Sequence, residues 1–505
     1  MKPAFDIVIR GGRVMDPETG FDQIADVAIR GAAVVAIGRD LPEGRTELDA
    51  VGRIVAPGFV DIHAHGQSLA ADRMQAFDGV TTALELEVGA LPVAEWYATQ
   101  TERPRLLNYG TSAGWLFARC QVIADMPADG TVPSMTLMGR GADDRRWSLD
   151  AATEAQAEQI VTLLKGGLKE GGIGIGIPNG YAPGAGVKEL TRVCALAAEA
   201  GSLTFTHIAN ASNVDPHSSL ESYVRIIGLA GATGAHMHVC HLNSTSILDV
   251  KSAVDVLQRA QAQGLPITVE AYPYGTGSTV VSAGFFTQPD FAARTGSDYD
   301  QIELVRSGER FTNVEALRAA SARDPGDLIL WHFLDTENEP AHRGLLDLSV
   351  TYPGGNIASD ALPWTMPDGS FYDGADWPLP EEATSHPRSS GTFTRFLRDY
   401  VRDRALIGLM EGLAKCTLLP ARVIEETAPQ IRRKGRLQVG CDADVVVFDF
   451  DRLQDRATFR QMNLTAEGMV HVLVNGVPVI CDGALDTDAA PGVAIVGRGI
   501  AEARA

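Results

Sequence analysis

A regular alternation of short apolar runs with alanine-rich helical stretches is the feature of this sequence that most limits its fold. Apolar runs occupy residues 172–177, 203–207 and 236–241, and helical patterns occupy residues 187–200 and 220–230 between them. Strands that alternate with helices pair in parallel, because each crossover returns the chain to the same edge of the sheet. Residues 57–416 are long enough for eight such units. We therefore predict an α/β fold with a (β/α)8 TIM-type barrel over residues 57–416.

Both ends of the chain show a different sequence pattern, in which short β-rich runs are broken by glycine-containing turns. These runs lie at residues 6–10, 25–29, 33–37, 444–448 and 471–479. The last run contains Asn475-Gly476, a dipeptide that is typical of a tight hairpin turn. Two β-rich ends that flank one barrel are expected to pair. We predict that residues 1–56 and 417–505 form one small β-sandwich domain.

The β/α pattern loosens between residues 275 and 355, where glycine, proline and charged residues are frequent. A helix is predicted there around residues 314–322. A long segment that interrupts a regular barrel is typically functional. We predict an insertion at residues 275–355 that acts as a lid.

The charge and the cysteines exclude several classes of partner and compartment. The chain has 64 acidic and 43 basic residues and a formal net charge of -21. Nucleic acids and anionic membranes are bound by basic patches, so neither partner is expected. We see no secretory pattern and no apolar stretch that could span a bilayer, and the six cysteines lack CxxC spacing. We expect a cytoplasmic protein with reduced thiols; its oligomeric state is open, with a homo-oligomer as one option.

Polar residues that bind metals follow apolar runs where barrel strands would end. His63 and His65 are two apart after one run, so both face the same side of a strand. His207 and His241 end two further predicted strands, and Asp360 ends another. Barrel enzymes keep their sites at the carboxyl ends of strands. In a chain with only 11 histidines, this placement favours a metal centre over histidines that are merely buried in the core.

The segment at residues 57–65, which reads Pro-Gly-Phe-Val-Asp-Ile-His-Ala-His, resembles the opening signature of the amidohydrolase superfamily. Members of that superfamily pair a metal-binding barrel with a small β-sandwich made from both termini. The closer resemblance is to the D-aminoacylase branch, the N-acyl-D-amino-acid deacylases, and it covers nearly the whole chain. The stretches that carry it are residues 79–82, 174–184, 271–274, 386–393 and 466–476.

The resemblance implies that His63, His65, His207 and His241 bind one or two divalent metal ions and that Asp360 is the general acid and base. Histidine and carboxylate ligands suit zinc best, with manganese, iron and cobalt as alternatives. A metal polarises an amide carbonyl and lowers the pKa of water. Asp360 would take a proton from the water and pass it to the departing amine, which is otherwise a poor leaving group.

Two cations of the family pattern are missing from this chain. Relatives carry an arginine soon after the histidine that matches His207, and a lysine two residues after the one that matches His241, where this chain has Asn243. Both cations would suit a substrate carboxylate. Tyr181 and Arg388 are the remaining candidates for substrate binding, with packing and a structural ion pair as their alternative roles.

The bridging ligand of the family pattern is also replaced. D-aminoacylases end the strand matching residues 81–89 in Asn-Cys-Gly, whose thiolate binds metal, but here Val88 takes the cysteine position. Other members bridge with a carboxylated lysine or a glutamate, and residues 173–177 contain no lysine. Glu85 and Glu87 share one strand face and are costly to bury without a cation. We predict that Glu87 bridges two metals; the alternatives are that Glu85 takes this role, or that both glutamates pair with basic residues.

The predicted activity is hydrolysis of the amide bond of an N-acyl amino acid, with an N-acyl-D-amino acid such as N-acyl-D-glutamate as the small-molecule substrate. Hydrolysis of a cyclic amide or a dipeptide is an alternative, because the fold does not fix the substrate. A second alternative is an assembly protein that kept the barrel and lost its chemistry. Such a protein is expected to lose its ligands, and this chain retains them.

Overall fold

The structure, a computed structural model, describes residues 3–132, 134–141 and 144–501. Within these residues the strands are β1 (Phe5–Asp16), β2 (Phe21–Arg30), β3 (Ala33–Gly38), β4 (Gly44–Asp49), β5 (Ile54–Pro57), β6 (Phe59–Asp61), β7 (Val80–Ala90), β8 (Asn108–Gly114), β9 (Ile175–Pro178), β10 (Leu203–His207), β11 (His236–Val239), β12 (Ile267–Ala271), β13 (Gly277–Val280), β14 (Ile302–Leu304), β15 (Leu328–Trp331), β16 (Asn356–Ile357), β17 (Val445–Phe448), β18 (Met469–Val474), β19 (Val477–Cys481) and β20 (Ala484–Leu485). The α-helices are α1 (Leu69–Phe77), α2 (Val93–Thr101), α3 (Trp115–Ile123), α4 (Ser134–Arg140), α5 (Arg146–Leu149), α6 (Glu154–Lys169), α7 (Val187–Glu199), α8 (Ser219–Thr233), α9 (Leu242–Ser246), α10 (Val250–Ala262), α11 (Phe291–Thr295), α12 (Val314–Arg323), α13 (Pro340–Val350), α14 (Arg388–Phe396), α15 (Leu409–Cys416), α16 (Leu418–Ile424) and α17 (Arg498–Ala501).

Eight parallel strands form the barrel in the order β6, β7, β8, β9, β10, β11, β12 and β16. A parallel bridge between Ala64 and Ala361 joins the first strand to the last, and the His65 amide donates to the Ala361 carbonyl at 2.7 Å. The sheet therefore nearly closes on itself, and helices between the strands surround it. The predicted (β/α)8 barrel is confirmed.

Local sequence patterns explain why strands and helices alternate here. Helix α7 buries Leu190, Val193 and Ala197, whose spacing of three and four places them on one face against the barrel. Helix α6 begins with a capping box in which the Thr153 side chain accepts from the Gln156 amide and the Gln156 side chain binds the Thr153 amide. Strand β10 is almost entirely buried, as a parallel strand covered on both faces should be.

The two chain ends share one sheet of nine strands, in the order β20, β19, β18, β17, β5, β1, β2 and β3, with β4 paired to β1. Strand β5 joins the two ends, because it pairs in parallel with β1 and antiparallel with β17. Ile9, Val27, Val447 and Leu473 belong to the apolar cluster under this sheet. The predicted pairing of the chain ends is confirmed, whereas the domain boundaries stay a prediction.

The segment that follows β12 leaves the barrel and forms a small antiparallel sheet in the order β13, β15, β14. The helix predicted around residues 314–322 is α12. Helix α13 packs back on α10 and β12, at the outside of the barrel. The insertion therefore carries its own sheet beside the carboxyl ends of the strands, and its role as a lid stays a prediction.

Two further features of the structure are the character of its helices and the state of its cysteines. Among the described residues, no helix combines the length and the apolar character needed to cross a membrane. All six cysteines are free thiols, five of them buried and Cys481 exposed.

Removing the C-terminal strands should destroy the shared sheet. A chain that ends before Gly440 loses β17 and leaves the edge of β5 unpaired, and an exposed apolar edge promotes aggregation. We expect insoluble protein, whereas a control chain that ends at Val496 keeps every terminal strand and stays soluble. The measurement is the soluble yield of each chain with its circular dichroism. A soluble, folded chain that ends before Gly440 would contradict the pairing.

Candidate metal centre

The histidines and carboxylates predicted to bind metal converge at the carboxyl edge of the barrel. His63 and His65 follow β6, Glu87 lies near the end of β7, and His207 is the last residue of β10. His241 follows β11 and Asp360 follows β16. Of these six side chains, five are buried and His207 is nearly so. Strands separated by up to 300 residues in the chain thus place their polar ends around one point.

The carboxylate of Glu87 lies between two pairs of histidines. Its Oε2 is 3.3 Å from His63 Nε2 and 3.4 Å from His65 Nε2. Its Oε1 is 3.1 Å from His207 Nδ1 and 3.0 Å from His241 Nε2. Each oxygen of one carboxylate therefore faces a different pair, which is the arrangement required of a ligand that bridges two metal ions.

Glu85 takes a different position from Glu87, although both lie on β7. Its Oε2 is 2.9 Å from His65 Nδ1, on the side of the ring opposite to the metal-facing Nε2. A carboxylate at this position fixes the orientation of the imidazole and makes the other nitrogen a stronger ligand. The structure thus places Glu87 inside the cluster and Glu85 behind one of its histidines.

A distortion of β7 brings Glu87 to the centre. Glu85 pairs with Thr111 of β8, but the pairing resumes only between Ala90 and Ala113, so five steps along β7 match two along β8. The extra residues bulge toward β9, where a Cβ at Gly176 would lie 2.3 Å from the Glu87 carbonyl oxygen. Glycine at that position allows the close approach.

Asp360 contacts both the histidine cluster and Arg388. Its Oδ1 is 3.3 Å from His65 Nε2, and its Oδ2 is 2.9 Å from Arg388 Nη2. Burial raises the pKa of Asp360, but Arg388 and His63 outweigh burial and hold the pKa below its ordinary value. Asp360 is therefore ionised, with one oxygen toward the cluster and the other fixed by an arginine.

Glu270 of β12 also contacts the histidines, although the sequence patterns did not point to it. Its Oε1 is 2.5 Å from His63 Nδ1, and its Oε2 is 3.0 Å from His238 Nε2. Glu270 is 1 % exposed, and it supports His63 as Glu85 supports His65. The signal was available in the sequence, because Glu270 interrupts an apolar strand as Glu85 and Glu87 do.

The centre contains an excess of buried negative charge, which favours the binding of a cation. Four buried carboxylates contact the cluster or its histidines: Glu85, Glu87, Glu270 and Asp360. Of these, Asp360 forms an ion pair with Arg388. Burial lowers the pKa of His63, but attraction by Glu270, Asp360 and Glu87 outweighs it and holds the pKa well above its ordinary value. Without a metal, protons on the histidines must balance this negative charge. Imidazole nitrogens and carboxylate oxygens are also the ligands that zinc prefers, so the donor set fits a divalent metal.

A cavity of about 600 Å³, including its open mouth, lies over the cluster. His65, Glu87, His207, His241 and Asp360 form its floor. Tyr181 lines one wall, and its hydroxyl is 2.8 Å from Thr279 Oγ1 of the insertion.

Arg388 is fully buried beneath the cavity, where it contacts Asp360 and lies with its guanidinium carbon 4.8 Å from the ring centre of Tyr272. The structure thus brings Tyr181 to the cavity and places Arg388 behind its floor. Their roles in substrate binding stay predictions.

Comparisons with known proteins agree with this architecture. A family model described as "Amidohydrolase family" matches residues 46–255 and 243–480. An N-acyl-D-glutamate deacylase from Alcaligenes xylosoxydans xylosoxydans is 30% identical over 95% of this chain and 94% of its own length. A D-aminoacylase from the same organism is 28% identical over 94% of both chains.

Solved structures are similar over the whole chain as well. The crystal structure of N-acyl-D-glutamate deacylase from Bordetella bronchiseptica, complexed with zinc and a phosphonate inhibitor that mimics the tetrahedral intermediate, is 25% identical. It superposes with a TM-score of 0.77 over 98% of this chain and 100% of that one. A D-aminoacylase structure with 22% identity and a TM-score of 0.75 covers 97% of this chain and 100% of its own, and supports the fold.

Substitution of the two glutamates of β7 should separate their roles. We expect Glu87→Ala to lose at least one equivalent of tightly bound metal, because both histidine pairs lose their shared carboxylate. Glu85→Ala should keep the parent's stoichiometry and bind metal about 10- to 100-fold more weakly. Metal analysis and chelator competition measure both effects. Full metal content in Glu87→Ala would remove it as the bridge, and loss of metal only in Glu85→Ala would reverse the two roles.

A conservative change at Glu270 should weaken metal binding without unfolding the barrel. Glu270→Gln keeps the shape of the side chain but removes the charge that orients His63 through Nδ1. We expect zinc affinity to fall about 10- to 100-fold. Chelator competition measures the affinity, and Glu303→Gln, a buried glutamate of the insertion, is the control. Unchanged affinity in Glu270→Gln would show that this contact does not support the site.

Proposed function

Because this chain belongs to the amidohydrolase family, we propose that it hydrolyses the amide bond of an N-acyl amino acid, as N-acyl-D-amino-acid deacylases do. One observation carries the proposal: the His63–His65 pair and the His207–His241 pair face opposite oxygens of Glu87, beside Asp360. That donor set lies on the floor of a cavity that opens to solvent. The full-length similarity to two deacylases gives the substrate class.

The proposed metal ligands are His63, His65, His207 and His241, with Glu87 shared between two ions. Zinc is the ion that this donor set suits best. When bound, a divalent metal supplies Lewis acidity, which favours negative charge on the amide oxygen and lowers the pKa of water. Glu85 and Glu270 hold His65 and His63 by their Nδ1 atoms, so the Nε2 atoms stay directed at the centre.

Asp360 is the proposed general base and acid. Its Oδ1 faces the cluster and receives the proton of the attacking water, and the same oxygen then delivers the proton to the amide nitrogen. The second transfer is needed because an amine leaves far more readily than an amide anion. Arg388 holds Oδ2 and keeps the carboxylate ionised before each cycle.

Tyr181 and Arg388 are the proposed substrate-binding residues. Arg388 Nε and Nη1 are buried behind the cavity floor and have no hydrogen-bond partner among the described residues, which supports a role for this guanidinium toward a substrate carboxylate. The Tyr181 hydroxyl lies on the cavity wall and binds Thr279. Together these groups could hold the carboxylate that an N-acyl amino acid carries beside its amide.

A panel of N-acyl-D- and N-acyl-L-amino acids tests the proposed activity. Metal-replete protein should release free amino acid from members of one enantiomeric series, and metal-stripped protein should lose the activity and regain it with zinc. Quantification of the primary amine measures the reaction. No amine release from any member, in protein with a full metal complement, would refute the proposed substrate class.

Substitution of Asp360 should stop catalysis while the metal stays bound. Asn fits the same space but cannot move protons, so we expect Asp360→Asn to lower kcat by about 100- to 10,000-fold. Metal content should stay near that of the parent, since the four histidines and Glu87 are unchanged. Asp368→Asn, at an exposed loop position, is the control. Activity within tenfold of the parent would remove Asp360 from the mechanism.

A further inference from the structure

We infer that a row of hydrogen bonds inside the barrel fixes the orientation of the proposed metal ligand His63, and that Thr268 and His238 are its positioning residues. The row runs from His236 through Thr268, His238 and Glu270 to His63. This inference rests on the proposed role of His63 as a ligand, and it does not depend on which amide is the substrate.

The row lies along two neighbouring strands of the barrel. Strands β11 and β12 pair in parallel, with His238 beside Thr268. Residues two apart on a strand share a face, so His236 and His238 of β11 lie on the same face as Thr268 and Glu270 of β12. This face is the inner one, because Glu270 reaches His63 at the mouth of the barrel.

Each contact along the row has the length of a hydrogen bond. His236 Nε2 and His238 Nδ1 both lie 2.8 Å from Thr268 Oγ1. His238 Nε2 is 3.0 Å from Glu270 Oε2, and Glu270 Oε1 is 2.5 Å from His63 Nδ1. The row is therefore continuous from the first residue of β11 to the metal centre.

The surroundings of this row are apolar. The ring centre of Phe205 is 5.7 Å from that of His238, and Leu203 pairs with His236 between β10 and β11. Phe205 and Leu203 belong to one apolar core cluster. Bulky apolar side chains usually fill the interior of such a barrel, and polar groups are costly there unless they are hydrogen-bonded. A complete polar row in this place indicates a role beyond packing.

The carboxylate of Glu270 sets the direction of the hydrogen bonds. It accepts at both oxygens, so His63 donates through Nδ1 and His238 donates through Nε2. A neutral imidazole that donates through one nitrogen accepts through the other, so the Thr268 hydroxyl donates to His238 Nδ1. Burial and the nearby His238 lower the pKa of His236 to about 4, so His236 is neutral near pH 7 and can donate to Thr268 through Nε2.

The row acts on the metal centre through His63. When Nδ1 donates to Glu270, the lone pair of His63 lies on Nε2, the atom that is 3.3 Å from Glu87. A carboxylate behind a ligating histidine orients the ring and strengthens the ligand. Without the Thr268 hydroxyl, His238 can carry its proton on Nδ1 and turn a lone pair toward Glu270, which repels it. Thr268 and His238 thus position His63 from a distance.

A matched set of variants at Thr268 tests the inference. Thr268→Val keeps the shape of the side chain without its hydroxyl, and should lower zinc affinity about 3- to 10-fold, less than Glu270→Gln does. Thr268→Ser keeps a hydroxyl and should restore the affinity to within about twofold of the parent. The control is Thr204→Val, because the Thr204 hydroxyl, on β10, contacts Thr206 and Met237 instead. Chelator competition measures the affinity, and thermal unfolding of the metal-free proteins measures their stability.

The protonation of His238 provides a second measurement. In protein labelled with 15N at its histidines, His238 should carry its proton on Nε2, and Thr268→Val should raise the share on Nδ1. His238→Gln, which removes and so identifies that signal, can still donate to Glu270 and should keep zinc affinity within about threefold of the parent. His238→Leu cannot donate and should lower the affinity about tenfold.

The results separate this inference from the proposed ligand set. Parental zinc affinity in Thr268→Val, or an equal loss in Thr204→Val, would overturn the inference and leave the ligands intact. A proton on Nδ1 of His238 in the parent would overturn it as well. A parent protein that binds no zinc would refute both the inference and the ligand set.

Discussion

The carboxylate of Glu87 is the contact on which the rest of the site depends. One oxygen faces His63 and His65 and the other faces His207 and His241, so a single side chain links the first strand of the barrel to the fifth and sixth. This position requires β7 to bulge toward β9, which in turn requires the glycine at 176. Val88 stands at the thiolate position of the family pattern, one residue after Glu87.

Burying so much negative charge constrains everything around it. Glu85 and Glu270 support His65 and His63 from behind, and Asp360 is held by Arg388. An uncompensated buried carboxylate costs several kcal/mol, so each of these groups needs its partner. The proposed metal ions complete the balance, since they replace the protons that the histidines otherwise carry. The contacts that compensate the buried carboxylates are therefore also the contacts that orient the proposed metal ligands.

The barrel and the insertion contribute different residues to the cavity. The barrel supplies the cluster, which the amidohydrolase family shares, and the insertion supplies Phe285, Phe286 and Trp331 on the wall of the cavity. None of the proposed metal ligands belongs to the insertion, so its side chains can vary without removing a ligand.

The sequence alone determined the barrel, the pairing of the chain ends and the strand-end positions of His63, His65, His207, His241 and Asp360. These follow from local patterns, because periodicity sets the elements and parallel strands bring their carboxyl ends to one edge. The sequence narrowed the bridge to Glu85 or Glu87 but could not place them, since their positions depend on a bulge set by contacts with β8 and β9. Glu270 and the Arg388–Asp360 pair depended on packing between segments that are distant along the chain, such as the 207 residues that separate Glu270 from His63. Only the tertiary structure decides such contacts, because no local pattern of residues encodes which buried charge meets which partner.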